Sequence, residues 1–204
     1  MKRLHLHVPS VLALSGLLAP LVAQAHLVNT GLGPFYDGLS HFMLAPEDLL
    51  PALALALWAG LNGASAGRNA LFALPAAWFV GGLLGLLGLA WPRLEASPTL
   101  TAASLLVLGG MVAADLRLGR GWALGLVIVL GLLHGHLNGS AMAASRLGWV
   151  GLCGIVAALF VLVALVAASV VAVRMPWARM VVRVGGSWVA AAGLLMTGWA
   201  LRAA

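Results

Sequence analysis

The feature that most constrains this chain is a series of apolar runs joined by short connections. The six runs lie at about residues 46–66, 70–91, 98–116, 122–143, 148–173 and 180–201. Each is close to the ~20 residues that a helix needs to cross about 30 Å of hydrocarbon. Short connections favour antiparallel neighbours, and no run suggests a strand. The sequence therefore predicts an all-α polytopic membrane protein, with one domain of six transmembrane helices over 46–204.

The composition agrees with a lipid environment. The chain is 63% hydrophobic and 8% charged, whereas a soluble domain carries roughly 25% charged residues. Its net charge of +6 comes from arginines placed singly between the apolar runs. Such residues act as loop anchors and do not form a nucleic-acid-binding face. The expected partner is the lipid bilayer, with no nucleic acid.

The first 25 residues form a separate unit. MKRLHLH is basic, VLALSGLLAPLV is a short apolar stretch, and AQA is a small-residue cleavage site. This is the pattern of a secretory signal peptide over 1–25. An uncleaved anchor is the alternative, although its apolar stretch is short for a span. Cleavage would leave His26 at the mature N-terminus and 26–45 as a periplasmic segment.

The arginines also indicate an orientation. With the mature N-terminus outside, the cytoplasmic connections hold five arginines and the outer ones hold three. This agrees with the positive-inside tendency. The predicted location is the bacterial inner membrane, with several passes and a periplasmic N-terminus.

Polar side chains gather in two stretches that this topology brings to one level. FYDGLSHFMLAPEDLL precedes and begins the first run, and GLLHGHLNG lies in the fourth. His134 is about 18 Å from the inner end of its run, so it lies in the outer half of the membrane. Ionisable groups at such a depth usually face a bundle interior or a water-filled path. The candidate site residues are His41, Glu47, Asp48, His134, His136 and Asn138, with His26 and Asp37 as a possible outer capture site.

Several of these residues also have a plain structural explanation, which does not cover His41 or Asp37. Pro46 followed by Glu47 and Asp48 is an ordinary helix start, with acids complementing the helix dipole. A histidine in the fourth run can form an interhelical hydrogen bond, and this is the favoured explanation for His136. His134 and Asn138 are four residues apart and share a helix face, which favours a functional role for His134.

Small residues and the inner half of the bundle complete the pattern. Glycines recur every fourth residue at Gly131, Gly135 and Gly139, with others at Gly81, Gly82 and Gly85. Such spacing allows close helix approach in lipid. The inner half of the bundle is expected to hold few polar side chains. They are Asn62, Ser65, Ser104, Asp115, Ser169 and Ser187. A continuous inward path for an ion therefore has little support.

At these residues the chain resembles the HupE/UreJ family of membrane proteins, found with nickel hydrogenase and urease systems. GLSHFMLAPEDLLPALALALWAG is similar to the family signature H-P-x-x-G-x-D-H-x-x-x-M, and HGHLNG to the later H-G-x-A-H-G element. The resemblance covers the whole chain in architecture and about thirty residues in motif. His41, His134 and Gly135 match the two elements.

The chain departs from the family pattern at several positions. Glu47 and Asp48 stand where the signature has aspartate and then histidine, and Ala52 stands at the methionine. Asn138 replaces the second histidine of the later element, and His136 is an additional imidazole. Two family histidines have thus become oxygen-bearing residues, which identifies a divergent member.

The resemblance implies capture or passage of a divalent transition-metal ion. Nickel comes first and cobalt second, with iron, copper or zinc as further possibilities. Imidazole suits such ions and carboxylates favour harder ones, so a mixed set would hold an intermediate ion loosely, as a permease requires. Other membrane subunits or metalloenzyme maturation proteins are possible partners. The chain is not expected to be an enzyme.

Three alternatives remain at this stage. The chain can be an accessory or structural subunit of a membrane metalloenzyme complex, without transport activity. It can be a haem-binding subunit with His41 and His134 as axial ligands. An intramembrane hydrolase using Ser140 is the weakest alternative, because no G-x-S-x-G element is present.

Overall fold

The computed structural model describes residues 29–89 and 98–203. In these two ranges the chain is all-α, without strands. The helices are α1 (Pro34–Leu44), α2 (Pro46–Leu61), α3 (Ala64–Leu86), α4 (Pro98–Ala113), α5 (Arg120–Ala144), α6 (Gly148–Ala172) and α7 (Pro176–Ala203). The predicted signal peptide and His26 lie outside the described residues.

Helices α2 to α7 correspond one for one to the six apolar runs. Four of them, α3, α5, α6 and α7, are long and apolar enough to cross a membrane. The pair α1 and α2 adds a fifth span if the two helices are counted together. The remaining helix, α4, has 16 residues and is about 24 Å long. The chain is therefore a multi-pass membrane protein, while the count of six crossings stays a prediction.

The C-terminal part of the predicted periplasmic segment contains a helix that the apolar runs did not indicate. α1 begins at Pro34 and ends at Leu44, and α2 continues after a bend of 72°. Pro46 at the first position of α2 sets this break, because the residue before a proline is driven out of the helical region. Ala45 accordingly has φ −92° and ψ 96°. The first turn of α2 thus begins inside the bundle, where Asp48 is buried.

Helices α3 and α5 form the closest pair and run parallel. Gly135 lies against the backbone of Trp78, and Gly139 lies against the backbone of Gly82. A β-carbon at either glycine would collide with the opposing backbone carbonyl. The predicted glycine contacts are confirmed, and they bring the later histidine element of α5 directly onto α3.

Helices α4 and α7 form a second, antiparallel pair. Gly109 of α4 lies against Gly186 and Ala190 of α7. At one end of this pair Asp115 forms an ion pair with Arg179 at 3.3 Å. The indole of the buried Trp58 donates to Leu116 O at 2.7 Å and thereby ties α2 to the same end.

Candidate functional site

Asp48 is the only buried acid of α2 and joins two side chains of α5. It lies in the first turn of α2 and is 4% exposed. Its Oδ2 accepts a hydrogen bond from Asn138 Nδ2 at 2.7 Å, and its Oδ1 lies 3.2 Å from His134 Nδ1. A contact over 86 residues of sequence thus joins the two stretches that the sequence analysis singled out.

The other side of the imidazole contacts two further helices. His134 Nε2 lies 3.2 Å from Ser104 Oγ of α4. Trp78 of α3 stacks on the His134 ring, with centroids 5.4 Å apart and planes at 23°. The Trp78 indole donates to Asn138 Oδ1 at 3.2 Å. We call Asp48, Trp78, Ser104, His134 and Asn138 the buried polar centre.

Hydrogen bonding fixes the direction of the chain of contacts. A carboxylate only accepts hydrogen bonds, so with Asp48 ionised His134 donates from Nδ1. Nε2 then accepts from the Ser104 hydroxyl. The buried polar centre is therefore fully hydrogen-bonded, as groups buried at this depth must be.

The buried polar centre holds two metal-binding side chains that face each other. An imidazole nitrogen and a carboxylate are both ligands for divalent transition metals. No group of three or more His, Cys, Asp or Glu side chains with metal-binding geometry occurs within residues 29–89 and 98–203. An ion between His134 Nδ1 and Asp48 would need its remaining ligands from Asn138 or water, because Ser104 contacts the opposite ring nitrogen.

The order hydroxyl, imidazole, carboxylate is also that of a hydrolytic triad. Ser104 is buried between helices and its sequence context is AASLL, without a G-x-S-x-G turn. We therefore assign Ser104 to orienting His134. Ser140, the serine considered from the sequence, donates its hydroxyl to His136 O at 3.0 Å.

The structure thus brings together three of the predicted site residues, Asp48, His134 and Asn138. Glu47 is exposed in the first turn of α2, as expected for an acid that complements a helix dipole. His41 is partly buried on α1 and has no hydrogen bond to the buried polar centre. His136 is buried on the part of α5 that packs on Gly85.

Of the two predicted outer capture residues, only Asp37 lies in the described part of the chain. Asp37 is buried, and its Oδ1 accepts hydrogen bonds from both the backbone N and the hydroxyl of Thr30, at 2.6 Å each. These bonds secure the chain just before α1. His26 lies outside the described residues.

Sequence reasoning missed Trp78 and misplaced Ser104. Ser104 was expected in the inner half, but it lies near the start of α4 and beside His134. Trp78 lies in the middle of an apolar run, and a buried indole N–H requires a hydrogen-bond acceptor. A tryptophan in mid-run was therefore the signal that a polar group lies opposite it.

Comparison with known proteins gives one family. A family model described as "HupE / UreJ protein" matches residues 12–196. A protein of Rhizobium leguminosarum bv. viciae, named "Protein HupE", is 31% identical over 130 residues, which are 62% of this chain and 64% of that protein. The match thus spans less than two thirds of the relative. No solved structure matches the chain.

Proposed function

The chain belongs to the HupE/UreJ family, and from this premise we propose that it is a permease or capture protein for a divalent transition-metal ion. Nickel or cobalt is the proposed cargo, and the buried polar centre is the proposed binding site. The proposed location is the bacterial inner membrane with the N-terminus in the periplasm. The protein carries out no catalysis in this proposal.

One observation carries the proposal. The Asp48 carboxylate and the His134 imidazole lie 3.2 Å apart between helices of a membrane protein, and both are almost fully buried. Ionisable groups in such places usually mark an ion or substrate path. The helix dipole alone explains an acid in the first turn of α2, but it does not explain a carboxylate facing an imidazole.

The donor set fits a loosely held ion. Binding an ion between Asp48 Oδ1 and His134 Nδ1 requires that the imidazole proton move to Nε2, where Ser104 Oγ can accept it as a hydrogen bond. Asp48 would then supply oxygen and His134 nitrogen, while Ser104 and Trp78 hold the imidazole ring in place. With one imidazole and one carboxylate the site prefers an intermediate ion to a soft one. Weak, exchangeable binding suits a site that must also release its ion.

Metal content of the purified protein provides the test. We expect about one bound ion per chain after loading with Ni²⁺ or Co²⁺, and its loss in the Asp48→Asn and His134→Gln variants. Uptake of ⁶³Ni²⁺ into proteoliposomes then separates a permease from a capture protein. Equal metal content in all three proteins would refute the site.

A second candidate is an accessory subunit of a membrane metalloenzyme complex. Its support is that every side chain of the buried polar centre has a protein partner without any ion. Such a network fixes helix positions by itself. Unchanged uptake in cells that lack the protein, together with co-purification of other membrane subunits, would favour this candidate over the permease.

A further inference from the structure

A polar cavity separate from the buried polar centre lies between α2, α3 and α5, toward the ends of these helices that are farther from Asp48. Its volume is about 220 Å³, and its polar wall consists of Trp58, Asn62, Ser65, Asn69 and Arg120. A water molecule takes up ~30 Å³ in the liquid, so the cavity has room for a polar group larger than a few waters. The buried polar centre contributes no residue to its lining.

Most polar side chains in this wall have no partner in the protein. Ser65, Asn69 and Arg120 form no side-chain hydrogen bond or ion pair within residues 29–89 and 98–203. The other two are engaged: the Trp58 indole donates to Leu116 O, and the Asn62 amide donates to the carbonyls of Trp58 and Leu116. A guanidinium, an amide and a hydroxyl therefore line the same space without partners among the described protein groups, and Ser65 and Arg120 are exposed to solvent.

The charge of this cavity is positive. No acidic residue lines it, and Asp115, beyond the end of α4, is paired with Arg179. Two helices also begin at the cavity, α3 at Ala64 and α5 at Arg120, and neither has a side-chain cap or an acid in its first turn. Their free backbone N–H groups add partial positive charge. The cavity thus favours an anion.

We propose that this cavity binds a phosphate group, namely that of an anionic phospholipid headgroup. A guanidinium matches phosphate geometry through its paired N–H donors, and Ser65 and Asn69 supply further donors. The cavity lies where helices begin and end, which is the level of lipid headgroups in a bilayer. Its apolar side includes the exposed Leu124, against which an acyl chain can lie. Free phosphate has the same chemistry, and the test distinguishes the two sources.

The test compares lipid retention by the full chain in detergent micelles. Native mass spectrometry measures bound phosphatidylglycerol and phosphatidylcholine for the unchanged protein, for Arg120→Gln and for Asn69→Leu. We expect Arg120→Gln to reduce phosphatidylglycerol binding about fivefold or more, because a charge-assisted contact is lost. Phosphatidylcholine binding stays unchanged. Arg146→Gln, at the other end of α5, is the matched control and changes retention less than about twofold, because Arg146 does not line this cavity.

Inorganic phosphate, titrated calorimetrically into the same micelles, forms the second arm. Arg120-dependent phosphate binding without a preference for phosphatidylglycerol would keep the site and assign it to a free anion. The proposal is overturned if Arg120→Gln and Asn69→Leu retain phosphatidylglycerol like the unchanged protein and no Arg120-dependent phosphate binding is measured. Arg120 is exposed, so its replacement leaves the fold intact. Metal content, which tests the buried polar centre, is independent of either result.

Discussion

The side-chain amide of Asn138 donates a 2.7 Å hydrogen bond to the carboxylate of Asp48. These two residues occupy positions at which the family signature has histidines, so the two departures from the pattern contact each other in space. This bond connects α2 and α5 through a carboxylate and an amide side chain. Because the two side chains share it, they are tested as a pair.

We predict that Asp48 and Asn138 are energetically coupled. Asp48→Ala leaves His134 and Asn138 without their acceptor and should lower the free energy of unfolding by about 3 kcal/mol. A double-mutant cycle with Asn138→Ala should give a coupling of about 1–2 kcal/mol. The measurement is reversible unfolding in mixed micelles.

Glu47→Ala is the matched control for this cycle. Glu47 is the neighbouring acid in the same helical turn but is exposed, so its loss should change the free energy of unfolding by less than about 0.5 kcal/mol. Additive effects of Asp48→Ala and Asn138→Ala would show that their hydrogen bond contributes no stability.

We predict that His134 and His136 differ in their effect on metal binding. His134 faces Asp48, whereas His136 is not part of the buried polar centre. His134→Gln should weaken Ni²⁺ binding by at least about tenfold, and His136→Ala should have a smaller effect. Isothermal titration of the purified variants measures both affinities. A larger loss of Ni²⁺ affinity in His136→Ala than in His134→Gln would place the ion on the other side of α5.

The apolar runs predicted the helices well because the length and hydropathy of a run are local properties. The break between α1 and α2 is also encoded locally, by Pro46. It was missed because 26–45 is short and mixed in composition, so its helical part produced no long apolar run. The glycine spacing predicted close packing on α5, and Gly135 and Gly139 do meet the backbone of α3.

The candidate site could be predicted only to the level of membrane depth. The topology placed Asp48 and His134 at one level, and the structure confirms their contact. Which neighbouring side chain faces them depends on the rotation of each helix and on which helices pair. The parallel pairing of α3 with α5 brings Trp78 onto His134, and the packing of α4 on α2 brings Ser104 there. Neither follows from the spacing of residues along the chain.

We predict that Gly135 cannot accept a side chain. A β-carbon there would collide with the carbonyl of Trp78, so Gly135→Ala should lower the free energy of unfolding by about 2 kcal/mol or more. Gly125→Ala on the same helix is the control, since a β-carbon there meets no atom within 4 Å. Ala is the better helix former, so this control should be neutral or up to ~1 kcal/mol more stable. Circular dichroism during detergent unfolding distinguishes the two variants.

The end of α5 offers a change that should stabilise the protein. Arg146 has φ +62°, and its N–H bonds to Ala143 O while Leu147 N bonds to Met142 O. This is the helix-ending pattern in which glycine normally occupies the left-handed position, and a residue with a β-carbon pays about 1–2 kcal/mol there. Glycine also loses about 0.5–1 kcal/mol of chain entropy on folding, so Arg146→Gly should raise the free energy of unfolding by several tenths to about 1 kcal/mol.

Asp115 has φ +50° in the same position after α4, but its carboxylate binds Arg179. Asp115→Gly should therefore gain less stability than Arg146→Gly, or lose stability. Equal gains in the two variants, measured by unfolding in mixed micelles, would show that the ion pair with Arg179 contributes nothing.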